Sequence, residues 1–255
     1  MKLLKTRALI LRSRPLGERD RLLSLFTYEQ GKLTAVAPGA RKVKSRLAAG
    51  VDYFNCGHFL LYRGKSLFTV TQLEIEINFV QIRKNIRAYA CGMYFCELVE
   101  KLLEEGEPLP AVFNLLLGCW SCLDKNNNVD GEIMARFFEL RLLALLGYRP
   151  HLQGCLYCGA AEGPFFWNNS AGGILCQQCR PRAGEVYALD KGTLALANHL
   201  LGLRPAKVRN IRAGDKQKKE LRLFIGQFLQ YWTAAGSLQG LSFLDGINNY
   251  LGDKS

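Results

Sequence analysis

Four cysteines in the second half of the chain have the spacing of a metal site. Cys155 and Cys158 are separated by two residues, and Cys176 and Cys179 repeat that spacing after 17 intervening residues. Two residues between cysteines let both sulfurs of a tight turn point at one centre, so two such turns can complete a tetrahedron around Zn²⁺. Four thiolates leave no coordination position for water. The sequence therefore predicts one structural zinc ion per chain and no catalytic metal.

The other five cysteines do not indicate a second site. Cys119 and Cys122 also have the two-residue spacing, but they lie in an apolar helical stretch without the β-α-β pattern of a thioredoxin-like redox pair. Cys56, Cys91 and Cys96 are interpreted as small apolar core residues. An odd total of nine in a chain of 255 residues does not indicate a disulfide framework, and no secretory leader is recognisable. We therefore expect a reducing, cytoplasmic location.

The charge of the chain predicts an acidic partner. There are 34 Lys and Arg against 22 Asp and Glu, a net charge of +12. Residues 1–80 carry +8 of it, residues 81–150 carry −1 and residues 151–255 carry +5. No stretch has the 18 or more apolar residues of a membrane span, so we expect no membrane-spanning segment. Nucleic acid, an anionic surface or an acidic protein tail are the partners that such a charge favours.

Two basic clusters could contact phosphate groups. The first belongs to the run GARKVKSR, between the third and fourth predicted strands, and the second precedes the last predicted helix. A cationic loop on a small β-barrel suits single-stranded nucleic acid, whereas the second cluster could equally be a solvated surface. The predicted DNA contacts are Lys32, Arg41, Lys42, Lys44, Arg46, Arg204, Lys207, Arg209 and Arg212.

Signatures of enzymes are lacking. The three histidines, His58, His151 and His199, are isolated in the sequence, and there is no GxSxG, P-loop or GxGxxG motif. A nuclease would need clustered carboxylates for metal-assisted hydrolysis, and no such cluster is recognisable. The sequence predicts a binding protein without catalytic residues. An RNA-binding or ribosome-associated protein with a barrel and a zinc ribbon remains an alternative.

The elements that must position these residues change type near residue 80. Before it, five short runs rich in β-forming residues are separated by turn signals such as Glu29–Gly31 and Arg63–Lys65. Five antiparallel strands in this length predict a small barrel of the OB type, although an SH3-like barrel has nearly the same signature.

After residue 80 the apolar spacing becomes helical. The sequence predicts helices over 86–98 and 110–123, a third with Asp130 as its N-cap and Gly147 at its end, and a last one capped by Asp215 whose apolar stripe runs to Trp232. The fold class is therefore α+β, an N-terminal OB-type barrel followed by a helical domain with a four-cysteine zinc-binding insert. The expected segments are 1–80 (barrel), 81–150 (helical), 151–183 (zinc module) and 184–255 (helical).

Three stretches carry a family resemblance. They read ALILRSRPLGERDRLL at 8–23, LFTYEQGKL at 25–33 and PGARKVKSR at 38–46. With the four-cysteine insert in a helical second half, the chain resembles the RecO family of bacterial recombinational repair proteins over nearly its whole length. The resemblance implies an OB barrel, binding of single- and double-stranded DNA, annealing of complementary strands, and cooperation with RecR in loading RecA. It places such a protein at the nucleoid.

The resemblance also implies that the chain binds the acidic carboxyl tail of single-stranded DNA-binding protein. Such a tail needs an apolar notch for its terminal side chain and a cation for its carboxylate. Because residues 81–150 are nearly neutral, the candidate anchors are Arg136 and Arg141, which lie near Phe137, Phe138 and Leu140 in the sequence.

Overall fold

The computed structural model describes residues 3–45, 47–125, 129–233 and 238–252. The chain divides into two compact units, one formed by residues 1–127 with 238–255 and the other by residues 128–237. The segment boundaries expected at residues 80, 150 and 183 stay predictions.

The first unit begins with a closed five-stranded barrel. Its strands are β1 (Leu3–Leu16), β2 (Asp20–Thr27), β3 (Gly31–Ala37), β4 (Asn55–Arg63) and β5 (Phe68–Asn78). Their order around the barrel is β1-β2-β3-β5-β4, and β1 closes it by pairing with both β2 and β4. All pairs are antiparallel except β3 with β5, which is parallel. The predicted OB-type barrel is confirmed, together with the two predicted turns.

A bulge in β1 decides which of its side chains face solvent. Ala8 and Ile10 belong to the apolar core inside the barrel. The register with β2 shifts between Ile10 and Arg12, because β1 carries one extra residue there, which forms a β-bulge. Beyond this shift Arg12 and Arg14 are exposed while the residue between them is buried. The bulge therefore turns two arginines outward near the end of the strand.

Four helices complete the described part of the first unit. They are α1 (Val80–Lys84), α2 (Ile86–Leu102), α3 (Pro110–Lys125) and α8 (Gln239–Gly252). Asn85 caps α2 by accepting hydrogen bonds from the backbone N–H groups of Arg87 and Ala88. At the start of α8, the backbone N–H groups of Gln239 and Gly240 donate to the Glu97 carboxylate at 3.0 and 2.6 Å. This contact joins the carboxyl-terminal helix to α2.

The second unit combines helices with a small sheet. The helices are α4 (Gly131–Leu145), α5 (Lys191–Gly202), α6 (Pro205–Val208) and α7 (Asp215–Trp232), and α4 packs on α5 and α7. The strands β6 (Phe165–Asn168), β7 (Gly173–Cys176) and β8 (Tyr187–Leu189) form a sheet in the order β7-β6-β8. The predicted cap of α4 is confirmed, because the Asp130 carboxylate accepts hydrogen bonds from the N–H groups of Glu132 and Ile133.

The predicted cap of the last strong helix is wrong by one residue. Gly214, in an extended conformation, is the N-cap of α7, and Asp215 is the first helical residue. The Gln217 side chain accepts a hydrogen bond from the Gly214 N–H at 3.2 Å, which satisfies this group without a capping side chain at Gly214. The Asp215 carboxylate still lies in the first turn, where a negative charge favours the helix.

Candidate metal centre and nucleic-acid interface

The structure brings the four predicted metal ligands together. The sulfur atoms of Cys155, Cys158, Cys176 and Cys179 all lie within 4.8 Å of one another. Cys155, Cys176 and Cys179 are buried, whereas Cys158 is exposed. Sulfurs at these separations, contributed by two turns, match the donor set of a tetrahedral thiolate site. Among the described residues, this is the one group of three or more potential ligands placed closely enough to hold a metal ion.

Backbone hydrogen bonds hold the first cysteine turn in place. The Cys155 N–H donates to the Ala160 carbonyl and the Gly159 N–H donates to the Cys155 carbonyl, both at 2.8 Å. Gly159 has φ +74°, a conformation that a residue with a side chain rarely adopts. The Leu156 N–H donates to the carbonyl of Ile174 in β7 at 2.8 Å. Because β7 ends at Cys176, this bond ties the first turn to the strand that delivers the second.

The electrostatics of the cluster fit a bound cation. Burial raises the pKa of the Cys155 thiol, but backbone N–H donors of Cys176, Cys158 and Tyr157 outweigh it and bring the pKa to about 6. Burial and contacts with the neighbouring sulfurs raise the pKa of Cys179 to about 12. One thiolate therefore forms readily, and further thiolates beside it need a positive charge. A metal ion supplies that charge, so the four cysteines can bind one.

The basic loop lies on one rim of the barrel. Arg41, Lys42 and Lys44 are all exposed, while Arg46 lies outside the described residues. The Arg41 N–H donates to the Arg19 carbonyl at 2.9 Å, and Arg41 Nη1 donates to the Gly17 carbonyl at 2.6 Å. These bonds join the loop after β3 to the loop between β1 and β2. The cations of the two loops therefore share one surface.

Three further cations extend this surface, and the sequence analysis did not assign them to a site. Arg12 and Arg14 are exposed on β1 beyond the bulge, and Arg19 is exposed in the loop that Arg41 contacts. The signal was available in part, because all three lie in the first of the stretches that carry the family resemblance. Their outward orientation depends on the bulge, which a single sequence does not reveal.

Lys32 lies apart from this surface. Its ammonium group donates to the Glu100 carbonyl in α2 at 2.5 Å, and it is partly buried. The neighbouring Ser24 hydroxyl donates to the Glu100 carboxylate at 2.5 Å, and the Phe26 ring lies 5.8 Å from that of Phe113 in α3. The outer face of β2 and β3 therefore packs on α2 and α3. The Lys32 ammonium group makes its hydrogen bond within the protein at this contact.

Aromatic residues of the barrel that could stack on bases mainly pack within the protein. Phe54 is fully buried, and its ring makes edge contacts with Tyr89 and Trp120 at 5.4 Å. Tyr28 makes an edge contact with Phe113 at 5.4 Å, and Tyr53 is half-buried. Tyr62 is 38% exposed. Core packing therefore accounts for most of this group.

The second basic cluster lies on α6 and the turn that follows it in the second unit. All four of its side chains are exposed. Arg204 is the N-cap of α6, and Arg212 Nη1 donates to the carbonyls of Arg209 and Ile211 at 2.9 and 3.0 Å. Lys207 lies within the helix between them. The structure therefore gathers the predicted residues on one short surface segment.

The two predicted tail anchors are not exposed cations. The Arg136 side chain is 1% exposed and forms an ion pair with Glu139, which is also 1% exposed, at 3.0 Å. Arg141 is partly buried, and its Nη1 donates to the Leu201 carbonyl at 2.5 Å. A peptide carboxylate cannot reach the Arg136 guanidinium in this structure. The prediction that Arg136 anchors the acidic tail is therefore wrong.

No helix within the described parts of the chain combines the length and apolarity that a bilayer crossing requires.

Comparison with known proteins covers both halves of the chain. Residues 1–79 match the family described as Recombination protein O N terminal, and residues 83–238 match Recombination protein O C terminal. The DNA repair protein RecO of Pelotomaculum thermopropionicum is 38% identical over 246 residues, which cover 96% of this chain and 94% of that one. The DNA repair protein RecO of Heliobacterium modesticaldum is 35% identical over 257 residues, covering 98% and 92%. The chain belongs to the RecO family and has a role in DNA repair and recombination.

Proposed function

We propose that this protein is a recombination mediator that binds single- and double-stranded DNA and anneals complementary strands without catalysing a reaction. The observation that carries the proposal is the rim of the barrel, where Arg41, Lys42 and Lys44 are exposed and hydrogen bonds hold their loop beside Arg19. Cations on a rigid rim can neutralise several phosphates of one strand at once. Membership of a DNA repair family favours DNA as the polyanion that these cations bind.

The covered sheet face defines how a strand would bind. Because the outer face of β2 and β3 packs on α2 and α3, a strand would follow the loops of the rim, where its phosphates face the cations. Phosphate contacts leave the base edges accessible. Neutralising the phosphates of two strands removes much of the repulsion between them, so pairing needs no chemical step from the protein.

The four cysteines would hold a structural zinc ion. Cys155, Cys158, Cys176 and Cys179 would fill its coordination shell, and the ion would supply the cross-link between the two turns. Zinc is the metal that four thiolates in a reducing compartment most commonly bind. We propose one ion per chain with a role in stability.

Family membership supports the partners RecR, RecA indirectly, and the acidic tail of single-stranded DNA-binding protein. We retain these partners and the cytoplasmic, nucleoid-associated location as proposals. Arg136 is excluded as the tail anchor because it is buried, and Arg141 would have to exchange its contact with the Leu201 carbonyl for the tail carboxylate. Arg204, Lys207, Arg209 and Arg212 are retained as DNA contacts of the second unit, whereas Lys32 is not.

Strand annealing tests the proposal directly. Two complementary oligonucleotides, one with a fluorophore and one with a quencher, are mixed with the protein, and their pairing rate is followed with and without single-stranded DNA-binding protein. We expect faster pairing with both strands recovered intact on a denaturing gel. Cleaved strands would indicate a nuclease, and a strong preference for RNA oligonucleotides would favour the RNA-binding alternative. Unchanged pairing rates would contradict the annealing function.

A further inference from the structure

Three neighbouring aromatic rings are exposed on the surface of the second unit. We call Tyr148, Trp232 and Tyr231 the aromatic patch. They are 38%, 37% and 58% exposed. The Trp232 ring centroid lies 5.9 Å from that of Tyr148 and 5.6 Å from that of Tyr231. The sequence analysis assigned Trp232 to the buried stripe of α7, so its exposure is a finding of the structure.

The patch is held in place from below. Trp232 Nε1 donates a hydrogen bond to the Asn169 carbonyl at 2.8 Å, which fixes the orientation of the indole ring. The Phe228 ring packs against Trp232 at 6.3 Å and against the fully buried Trp167 at 5.0 Å. The turn between β6 and β7 passes so close that a side chain at Gly172 would touch the indole at 3.8 Å. The rings are therefore preorganised, although they are not covered.

The surroundings of the patch are basic. Arg149 follows Tyr148 directly and is exposed. The solvent-facing side of α7 carries the cations Lys219 and Arg222 at helical spacing with Gly226, and it ends at Gln230, the residue before Tyr231. Gln227 and Glu220 lie on the side of the helix that Tyr231 shares. The second unit as a whole holds 14 basic and 8 acidic residues, a net charge of +6. This surface is complementary to a polyanion that also carries flat apolar groups.

We propose that the aromatic patch binds single-stranded DNA, with successive bases stacked on its rings and the backbone phosphates near Arg149 and the cations of α7. The inference rests on the proposed DNA-binding function and adds a base-stacking surface distinct from the basic rim of the barrel. Exposed aromatic rings beside cations are the combination that single-strand binding requires, and stacking accepts any base. A duplex fits less well because its bases are already stacked on one another.

Tryptophan fluorescence tests this at the site itself. The other two tryptophans, Trp120 and Trp167, are fully buried, so quenching by a stacked base reports on Trp232. Titrating the full-length, metal-loaded protein with a (dT)15 oligonucleotide should quench the emission. The variant Trp232→Phe should bind the oligonucleotide without that quenching. Inorganic polyphosphate, which has charge but no bases, should leave the emission of the unmodified protein unchanged.

A substitution next to the indole tests the energetic contribution. Tyr231→Ala should weaken (dT)15 binding about 5- to 10-fold at fixed salt while leaving the salt dependence unchanged, because it removes stacking and no charge. Leu223→Ala is the matched control, since Leu223 is 56% exposed on the same helix and offers no ring. Its affinity should equal that of the unmodified protein. Circular dichroism of each variant checks that the fold is retained.

The outcomes separate this inference from the proposed function. If fluorescence anisotropy shows (dT)15 binding without tryptophan quenching, and Tyr231→Ala binds equally well, the stacking surface is refuted while DNA binding stands. If polyphosphate quenches as strongly as (dT)15, the patch recognises charge and the assignment to bases is also refuted. If no oligonucleotide of any kind binds, both the inference and the proposed function fail.

Discussion

The salt dependence of DNA binding is the sharpest test of the basic rim. We consider the triple variant in which Arg41, Lys42 and Lys44 are replaced by Gln. All three side chains are exposed, and the one described hydrogen bond from an Arg41 guanidinium nitrogen goes to the neutral carbonyl of Gly17, which leaves the charge available to a phosphate. Glutamine keeps a polar side chain and removes the charge; at Arg41 it also removes the hydrogen bond to the Gly17 carbonyl.

The expected magnitude follows from counterion release. Each phosphate contact on a single strand contributes about 0.7 to the slope of log affinity against log salt concentration, so three contacts contribute about 2. Between roughly 50 and 200 mM salt, the unmodified protein should therefore lose about 20-fold more affinity than the triple variant. On duplex DNA the slope should fall by about 2.7, because each contact contributes about 0.9.

Fluorescence anisotropy of a labelled (dT) oligonucleotide, measured at five or more salt concentrations, gives the slopes. Arg41→Lys is the charge-preserving control and should keep the slope of the unmodified protein even though it loses the Nη1 hydrogen bond. Val43→Ala, in the same loop and fully exposed, should change neither slope nor affinity. A folded triple variant with an unaltered slope would show that the loop is merely solvated and would refute the reasoning.

Three further outcomes are expected. Cys176→Ser should remove the zinc detected by elemental analysis and lower the unfolding midpoint. A chelator should lower the midpoint of the unmodified protein but not that of the variant. Elemental analysis that finds no zinc in the purified unmodified protein would contradict this. Arg136→Met leaves the Glu139 carboxylate buried without its cation and should lower the free energy of unfolding in urea by about 3 to 5 kcal/mol. The double variant Arg136→Met with Glu139→Leu should lose much less. Equal losses in the two variants would argue against the buried pair. The Arg7 guanidinium, which donates to Glu76, lowers the pKa of that carboxyl below its usual value of 4.5. Because the folded pKa is depressed, this stabilisation is present above about pH 4.5 and is lost as the pH falls through the folded value. In the variant Glu76→Gln, the urea unfolding midpoint should therefore fall less steeply as the pH is lowered. An equally steep fall in the variant would count against the pair.

The sequence by itself determined the elements that depend on local rules. The five strands followed from apolar runs separated by turn residues, and one of the turns ends at Gly31, whose φ of +68° only glycine adopts easily. The N-cap Asp130 followed from the capping preference of aspartate, and the metal centre from cysteine spacing. In each case the residues concerned are neighbours in the chain or belong to short turns, so the local backbone conformation fixes their geometry.

Only the tertiary structure decided which surfaces remain open. Arginine is usually found at the surface, yet α4 is covered by other helices. Glu139, one turn away on the same helix, neutralises the buried charge of Arg136. Lys32 alternates outward on β3, but the helix packed on that face receives its ammonium group. Trp232 belongs to an apolar stripe and nevertheless lies exposed at the end of α7. Periodicity reports which side of an element is apolar, whereas exposure depends on what long-range packing places against that side.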